Sequence, residues 1–173
     1  MKMHCASAFF VTEKLCNVCG CFDGRLPDRK REEEKMKEII KGDVFTLPAK
    51  NVTQEMIHHY ADAAEDHNPL HVDPEFAKTT RYGGTIAHGM LSVAFIQELM
   101  VRTFGRDWLT SGVIEVSFMA PVYPGETITT EAKVMKAVPV EGAEDKMQVR
   151  MQVLCLNGKQ EKVIKGTTEV TVS

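Results

Sequence analysis

Residues 65–89 hold the side chains whose types and spacing could do chemistry. Asp66 and His71 flank the bend made by Asn68-Pro69-Leu70, so a loop can turn both side chains to the same side. Near neutral pH a carboxylate and a neutral imidazole both accept hydrogen bonds, and together they can hold one water molecule and move its protons. The pair therefore predicts acid/base chemistry on water, without a metal ion.

Each residue of this pair also has a purely structural explanation. Asp66 could cap a helix that begins near Pro69, and His71 could be an ordinary buried histidine with its hydrogen bonds satisfied. Asp73 is interpreted as the N-cap of the next short helix and not as a second catalytic acid. The catalytic interpretation therefore depends on further residues that complete the pattern.

The elements that must position these residues follow from the hydrophobic periodicity. Residues 43–47 favour a short strand, and Thr53 predicts the N-cap of an amphipathic helix that ends before Asn68-Pro69. Residues 74–78 predict another short helix. A longer helix, from about residue 88 to residue 104, is apolar on nearly every side, so we expect it to be buried.

The C-terminal half predicts strands instead of helices. Four segments rich in Val, Thr, Ile and Met partly alternate in polarity: 111–122, 127–138, 146–156 and 161–172. Turn signals separate them, and Asn157-Gly158 predicts a type I′ hairpin turn because both residues tolerate a positive φ. The elements together predict an α+β fold in which an antiparallel sheet wraps one long buried helix.

Two motifs in this chain resemble those of the MaoC-like, (R)-specific enoyl-CoA hydratase family. They are Asp66-x-Asn68-Pro69-x-His71-x-Asp73-Pro74 and, further on, Ala87-His88-Gly89-Met90. Residues 118–126 resemble the strand and turn that follow the family's central helix, and the resemblance extends from about Lys41 to the C-terminus. It implies the hot-dog fold, a long central helix wrapped by an antiparallel sheet.

The resemblance also implies a role for each motif residue. Asp66 and His71 would activate the catalytic water, and the backbone N–H of Gly89 would receive the thioester oxygen. Chemistry agrees, because adding water to a conjugated thioester places negative charge on that oxygen, and an N–H at a helix N-terminus stabilises it. Asn68 and His88 are candidate substrate-binding residues; bracing of the loop by Asn68 and orientation of the turn by His88 are the alternatives.

The reaction implied is the reversible hydration of trans-2-enoyl-CoA to (R)-3-hydroxyacyl-CoA. No cofactor and no metal are expected, since coenzyme A is part of the substrate. The alternatives are a dehydratase acting on 3-hydroxyacyl groups of acyl carrier protein, and a non-catalytic protein that binds acyl thioesters. A hot-dog thioesterase is less favoured, because it would need a carboxylate on the central helix and the only such acid, Glu98, lies two turns in from the helix start.

Two departures from the family pattern bear on the acyl chain. Thr85 and Gln97 stand where relatives place other residues, and both could reshape the acyl pocket. The length of the acyl chain therefore stays open. Open sheet edges in this fold imply a homodimer or a dimer of dimers.

Composition limits the class of protein. The chain has 173 residues, of which 43% are hydrophobic and 26% charged, as in a soluble protein with one folded domain. A net charge of −3 provides no basic surface for nucleic acid, and no apolar run reaches the length of a membrane span. We therefore expect a cytoplasmic protein without nucleic-acid or membrane partners.

The first 35 residues differ from the rest. Four of the five cysteines lie there, and a mixed-charge run follows them, so residues 1–35 are predicted to be a disordered extension and residues 36–173 the hot-dog domain. Cys16, Cys19 and Cys21 with His4 could hold zinc, but free thiols are the preferred interpretation because a second CxxC is absent. Translation could start at Met1 or at Met36.

Overall fold

A computed structural model describes residues 2–4 and 39–173 of the chain. These residues form seven strands and four helices. In chain order they are β1 (Lys2–His4), β2 (Val44–Thr46), β3 (Lys50–Asn51), α1 (Gln54–Ala64), α2 (Pro69–Val72), α3 (Pro74–Lys78), α4 (Gly89–Ser111), β4 (Val113–Phe118), β5 (Thr127–Val140), β6 (Ala143–Leu156) and β7 (Lys162–Val172). No helix in this part of the chain is long and apolar enough to cross a membrane.

All the strands pair in an antiparallel manner. The order across the sheet is β1-β4-β7-β6-β5-β2, and β3 pairs with β5 off this path. The four strands predicted for the C-terminal half are all present, and the helix α4 packs against the sheet, with its most numerous contacts on β7. The predicted α+β layout, a sheet around one long helix, is confirmed.

The helix α4 fills the centre of the core. Phe95, Ile96, Met100 and Trp108 are fully buried, and they pack in one cluster with the inward side chains of the sheet. The predicted helix ended near residue 104, whereas α4 continues to Ser111 after a kink at Gly105, whose φ of 52° and ψ of −125° are not helical. Glycine reaches that conformation without a Cβ clash, so the chain bends there and resumes its helix.

The short helices begin as their caps predict. The Thr53 side chain accepts a hydrogen bond from the backbone N–H of Met56 at 3.1 Å and starts α1. The Asp73 carboxylate accepts from the N–H groups of Glu75 and Phe76 at 2.9 Å and 3.1 Å and starts α3. Both caps satisfy donors that a helix N-terminus leaves without intrahelical partners.

The last hairpin differs from its prediction. The β6–β7 connection is present, but neither Asn157 nor Gly158 has a positive φ, and the left-handed residue is Gln160 at 63°. The N–H of Gln160 donates to the carbonyl of Asn157 at 2.9 Å, and the Asn157 side chain accepts from the N–H groups of Lys159 and Glu161. The predicted type I′ turn is therefore wrong, because the Asn157 amide organises a longer turn through its own hydrogen bonds.

The first strand comes from the extension that the sequence predicts to be disordered. Lys2–His4 pair with residues 113–115 of β4 and add a short strand at that edge of the sheet. Cys5, Cys16, Cys19 and Cys21 lie outside the described residues, so the zinc and free-thiol hypotheses remain predictions. Cys155 is a free, buried thiol, and burial raises its pKa to about 11, so it is a packing residue and not a nucleophile.

Candidate active site

A loop between α1 and α2 carries the predicted catalytic acid. The helix α1 stops because Glu65 adopts the left-handed conformation, with φ of 54°, and the N–H of Asp66 then donates to the carbonyl of Ala61 at 3.0 Å. The Asn68 side chain accepts from the N–H of Leu70 at 3.0 Å and so caps α2. These local hydrogen bonds reverse the chain between Asp66 and the helix that carries His71.

The hydrogen bonding of His71 fixes its tautomer. The ring nitrogen Nδ1 lies 2.7 Å from the backbone carbonyl oxygen of Ile86. A carbonyl only accepts hydrogen bonds, so Nδ1 must carry the proton, and in the neutral ring Nε2 keeps its lone pair. His71 is half-buried and lines the main cavity of the described chain. The arrangement therefore provides an acceptor nitrogen whose ring orientation is held by the backbone.

The backbone of the loop is tied to a distant part of the chain by Gln54. Its amide nitrogen donates to the carbonyl of His71 at 2.9 Å, and its amide oxygen accepts from the Thr85 hydroxyl at 2.6 Å. One side chain thus links α2 to the segment that leads into α4. No local sequence pattern pointed to Gln54, because its hydrogen-bond partners lie 17 and 31 residues away along the chain.

His88 lies underneath the catalytic pair. Its ring stacks on that of His71, with centroids 3.8 Å apart and planes 31° apart, and Nε2 donates to the carbonyl of Asp66 at 2.9 Å. The side chain is only 3% exposed, and its Nδ1 is buried without a hydrogen-bond partner in the described structure. Burial lowers the pKa of His88, and the neighbouring His71 adds to this effect, so the ring is neutral at pH 7.

Tyr60 completes the apolar side of this cluster. Its ring centroid lies 4.7 Å from that of His88, and burial, with a contribution from the charge of Asp66, raises the pKa of Tyr60 to about 12. The phenol is therefore neutral throughout the physiological range. From α1, Tyr60 packs against the ring of His88.

Three side chains could in principle hold a metal ion. A carboxylate oxygen of Asp66 and one ring nitrogen each of His71 and His88 lie within 4.8 Å of one another. The two imidazole rings are stacked, with their planes 31° apart. Each ring also uses one nitrogen to bind a backbone carbonyl. Each ring therefore has one nitrogen left for another partner.

Gly89 is the first residue of α4. At this position its N–H has no acceptor within the helix, and the helix dipole adds positive potential there. A Cβ on Gly89 would lie 2.7 Å from Cε1 of Phe118, so the aromatic ring packs directly against the glycine backbone. The hydrogen bond from the Ala87 N–H to the Val122 carbonyl, at 2.7 Å, holds this helix start against the loop that follows β4.

A cavity of about 710 Å³ joins these features. His71 and Gly89 both line it, and its walls are otherwise mainly apolar. The apolar lining residues are Ile86, Ala87, Met90, Phe118, Met119, Ala120, Pro121, Val122, Val163 and Ile164. Its size and character suit a ligand with an apolar chain and one reactive polar group.

The predicted residues separate into two groups in the structure. Asp66 and His71 are brought together, and Gly89 shares the cavity with His71, whereas Asp66 is exposed and does not line the cavity. The side chain of Asn68 caps α2, and that of His88 is buried beneath His71, so neither lines the cavity in the described part of the chain. This geometry favours the bracing role for Asn68 and the orienting role for His88.

The two departures from the family pattern do not reach the cavity. The Thr85 hydroxyl donates to Gln54, and the Gln97 side chain accepts from the indole N–H of Trp108 at 2.6 Å. Neither residue is among those that line the cavity. Both side chains are used in hydrogen bonds inside the protein, and their effect on the acyl pocket stays a prediction.

The comparison with protein-family models settles the classification. Residues 35–157 match the model of the MaoC like domain. The chain belongs to the MaoC-like family. As a member of this family it is a hydro-lyase.

Individual relatives agree with this assignment. The chain is 35% identical over 141 residues to the (R)-specific enoyl-CoA hydratase of Rhodospirillum rubrum, covering 79% of this chain and 90% of that protein. It is 29% identical over 133 residues to the mitochondrial 3-hydroxyacyl-[acyl-carrier-protein] dehydratase of Arabidopsis thaliana, covering 74% of each. The solved (R)-hydratase of Aeromonas caviae, involved in PHA biosynthesis, superposes with a TM-score of 0.66 at 26% identity, covering 79% of this chain and 99% of that one. The hot-dog fold is confirmed.

Proposed function

We propose that this protein catalyses the reversible hydration of trans-2-enoyl-CoA to (R)-3-hydroxyacyl-CoA. The observation that carries the proposal is the hydrogen bond from His71 Nδ1 to the Ile86 carbonyl at 2.7 Å. It leaves Nε2 as the proton acceptor of a residue that lines the largely apolar cavity, and the exposed carboxylate of Asp66, which does not itself line the cavity, lies within 4.8 Å of a ring nitrogen of His71. Two acceptors side by side hold a water molecule by both of its protons.

The chemical step follows from that water. Its oxygen forms a bond to C3 of the enoyl group while one O–H bond breaks, and the electron pair of the C2–C3 double bond moves toward the thioester carbonyl. A proton is delivered to C2 through the Asp66 and His71 pair, which ends the cycle in its starting protonation state. The reverse path removes water from the 3-hydroxyacyl thioester. The net reaction consumes one water and needs no redox partner.

Gly89 is the residue proposed to stabilise the charge that develops on the thioester oxygen. Its N–H lies at the first position of α4 and has no intrahelical acceptor. A donor at a helix N-terminus stabilises an oxyanion through both the hydrogen bond and the dipole. His71 and Gly89 line the same cavity, so one thioester can meet both.

His88 is proposed to be a positioning residue. It stacks on His71 and donates to the backbone carbonyl of Asp66, so it fixes both members of the pair from below. Because its ring stays neutral, it adds no positive charge that would weaken His71 as a base. In this role the His88 side chain does not touch the substrate, and only the backbone of His88, next to Gly89, would do so.

A dehydratase acting on acyl carrier protein is the second candidate. The relative from Arabidopsis thaliana bears that name, and the reaction at C2 and C3 would be the same. A thioesterase is disfavoured by Glu98, whose carboxylate is bound by Lys50 at 2.9 Å and by Arg102 at 2.8 Å. That carboxylate is tied into a partly buried ion-pair network and does not line the cavity.

We also propose that the protein forms a homodimer or a dimer of dimers. Phe118 and Met119, at the end of β4, are 48% and 58% exposed, which is unusual for large apolar side chains at the mouth of a cavity. A second copy that covers them would also narrow the cavity opening. Light scattering coupled to size-exclusion chromatography measures this directly, and a monomer at micromolar concentration would contradict it.

The test of the function follows the loss of the conjugated-thioester absorbance of crotonyl-CoA. The wild type is compared with Asp66→Asn and His71→Ala, and with His58→Ala, which removes an exposed histidine on α1, as the matched control. We expect each catalytic variant to lose about a hundredfold or more in kcat/KM, as loss of a general acid/base group usually causes, while His58→Ala keeps wild-type activity. A folded wild type that is inert toward short and long enoyl-CoA substrates would contradict the proposal.

A further inference from the structure

The wall of the main cavity has an unbalanced charge. Of the described residues that line it, Arg81 is the only Arg or Lys, and none is Asp or Glu. The remaining lining is apolar apart from His71, Tyr82 and Ser92. A cation at the rim of a largely apolar, acid-free cavity attracts an anionic ligand more strongly than a cation on an open surface does.

Arg81 is held in place without a carboxylate partner. Its Nη2 donates to the hydroxyl of Tyr82 at 2.6 Å, and its guanidinium carbon lies 4.8 Å from the centroid of that ring. The backbone carbonyl of Tyr82 accepts in turn from the Tyr123 hydroxyl at 3.2 Å, which ties this segment to the loop after β4. No salt bridge to Arg81 occurs among residues 39–173, and the acid nearest in sequence on α3, Glu75, is paired with Lys78 at 2.7 Å.

We infer that Arg81 binds a phosphate group of the molecule that carries the acyl thioester. The inference rests on the proposed function, since the reacting carbons must lie between His71 and Gly89 and the carrier must leave by the cavity mouth. Coenzyme A and the phosphopantetheine arm of acyl carrier protein both carry phosphate on the chain that extends from the thioester. The planar guanidinium offers paired donors that match phosphate oxygens, and its free N–H groups face no competing acid.

Different residues of one cavity would then bind the acyl group and the charged part of the carrier. The apolar lining takes the acyl group, and Arg81, an exposed residue of the same lining, takes the charged part of the carrier. Because Arg81 is exposed, its contribution should be moderate and should weaken as ionic strength rises. The side chain does not touch the reacting atoms, so its loss should affect KM and leave kcat nearly unchanged.

The experiment compares substrates with and without phosphate. Kinetics with crotonyl-CoA and with the crotonyl thioester of N-acetylcysteamine are measured for the wild type, Arg81→Gln and Arg106→Gln. Arg106 is an exposed arginine on α4 that does not line the cavity, so its variant has the same change of net charge. We expect Arg81→Gln to raise KM for crotonyl-CoA about five- to tenfold at low salt, to leave the phosphate-free substrate unchanged, and Arg106→Gln to change neither.

A third substrate, crotonyl-phosphopantetheine, lacks the nucleotide and so distinguishes binding of the phosphate on the pantetheine arm from binding of a phosphate on the nucleotide. If Arg81→Gln weakens its use as well, the phosphate of the arm is bound, which carrier protein also provides. If only crotonyl-CoA is affected, Arg81 binds a phosphate of the nucleotide part. An equal loss with all three substrates, or no loss with any, would overturn the inference.

Binding of free coenzyme A tests phosphate binding by Arg81 separately from the proposed hydration. If the wild type turns over no crotonyl thioester, calorimetry measures the binding of free coenzyme A to the wild type and to the Arg81→Gln variant. An affinity about fivefold weaker in the variant supports phosphate binding by Arg81 even though the hydration proposal has failed. Equal affinities, or no binding to either protein, would overturn the inference as well.

Discussion

Replacement of Gly89 by alanine tests the proposed thioester position most directly. The added Cβ would lie 2.7 Å from Cε1 of Phe118 and 3.1 Å from its Cδ1 and Cζ. Ordinary carbon contacts are about 3.5–4.0 Å, so the ring must retreat by about 1 Å. Overpacking of this size costs roughly 1–3 kcal/mol, and the better helix propensity of alanine offsets about 1 kcal/mol of it, which leaves a net loss of about 0–2 kcal/mol.

The loss of activity should be much larger than the loss of stability. A methyl group at Gly89 blocks the close approach of the thioester oxygen to the N–H, and loss of one oxyanion donor costs about 100- to 1000-fold in rate. Urea unfolding and initial rates with crotonyl-CoA measure the two effects separately. A folded Gly89→Ala protein with wild-type kcat would refute the position of the thioester.

The Phe118 ring provides a further control for the same substitution. Because this ring is 48% exposed, Phe118→Ala should remove the clash without opening the core. The double variant Gly89→Ala/Phe118→Ala should therefore recover stability but stay inactive. If activity returns with stability, the displaced ring and not the blocked N–H caused the loss, and the proposed role of Gly89 is wrong.

Two further predictions concern the core and the histidine pair. Gln97→Met keeps the volume but removes the acceptor of the buried Trp108 indole N–H, so it should lower the free energy of unfolding by about 1–3 kcal/mol in urea; a loss near zero would show that this hydrogen bond is dispensable. The pKa of His88 is lower in the folded than in the unfolded state. As the pH falls below about 6.5, the unfolded chain therefore binds more protons than the folded protein does, and the folded protein loses the stability that this residue contributes at higher pH. The wild type should accordingly lose more stability between pH 7.5 and 5.5 than His88→Asn, and parallel pH profiles in urea unfolding would contradict the assignment.

Local signals in the sequence were sufficient for the elements around the site. Thr53 and Asp73 are short polar residues directly before apolar or proline-led segments, and each caps the helix that it predicts. The long helix was predictable because its apolar residues surround the axis, which only a buried helix allows. The spacing of Asp66 and His71 across a proline bend likewise predicted that the two side chains meet.

Long-range contacts were not predictable in the same way. The Ile86 carbonyl that fixes the His71 tautomer is 15 residues away, and its position depends on the pairing of the Ala87 N–H with the Val122 carbonyl. The ring of Phe118 meets Gly89 only because β4 returns beside the start of α4. Such contacts are set by the register of the sheet against the helix, and no local pattern in one sequence reports that register.

Thr85 shows how a departure from the family pattern can serve the site without touching the ligand. Its hydroxyl donates to the Gln54 amide oxygen at 2.6 Å, which leaves the amide nitrogen directed at the carbonyl of His71 at 2.9 Å. A Gln54 side chain with a free oxygen could rotate its amide and exchange donor for acceptor, whereupon the bond to His71 would be lost. Thr85 therefore fixes the orientation of Gln54, Gln54 fixes the backbone of α2, and that backbone sets where the catalytic imidazole stands above His88. The proposed acid/base geometry thus depends on a threonine outside the cavity, and differences between relatives at this position should act on kcat through loop order.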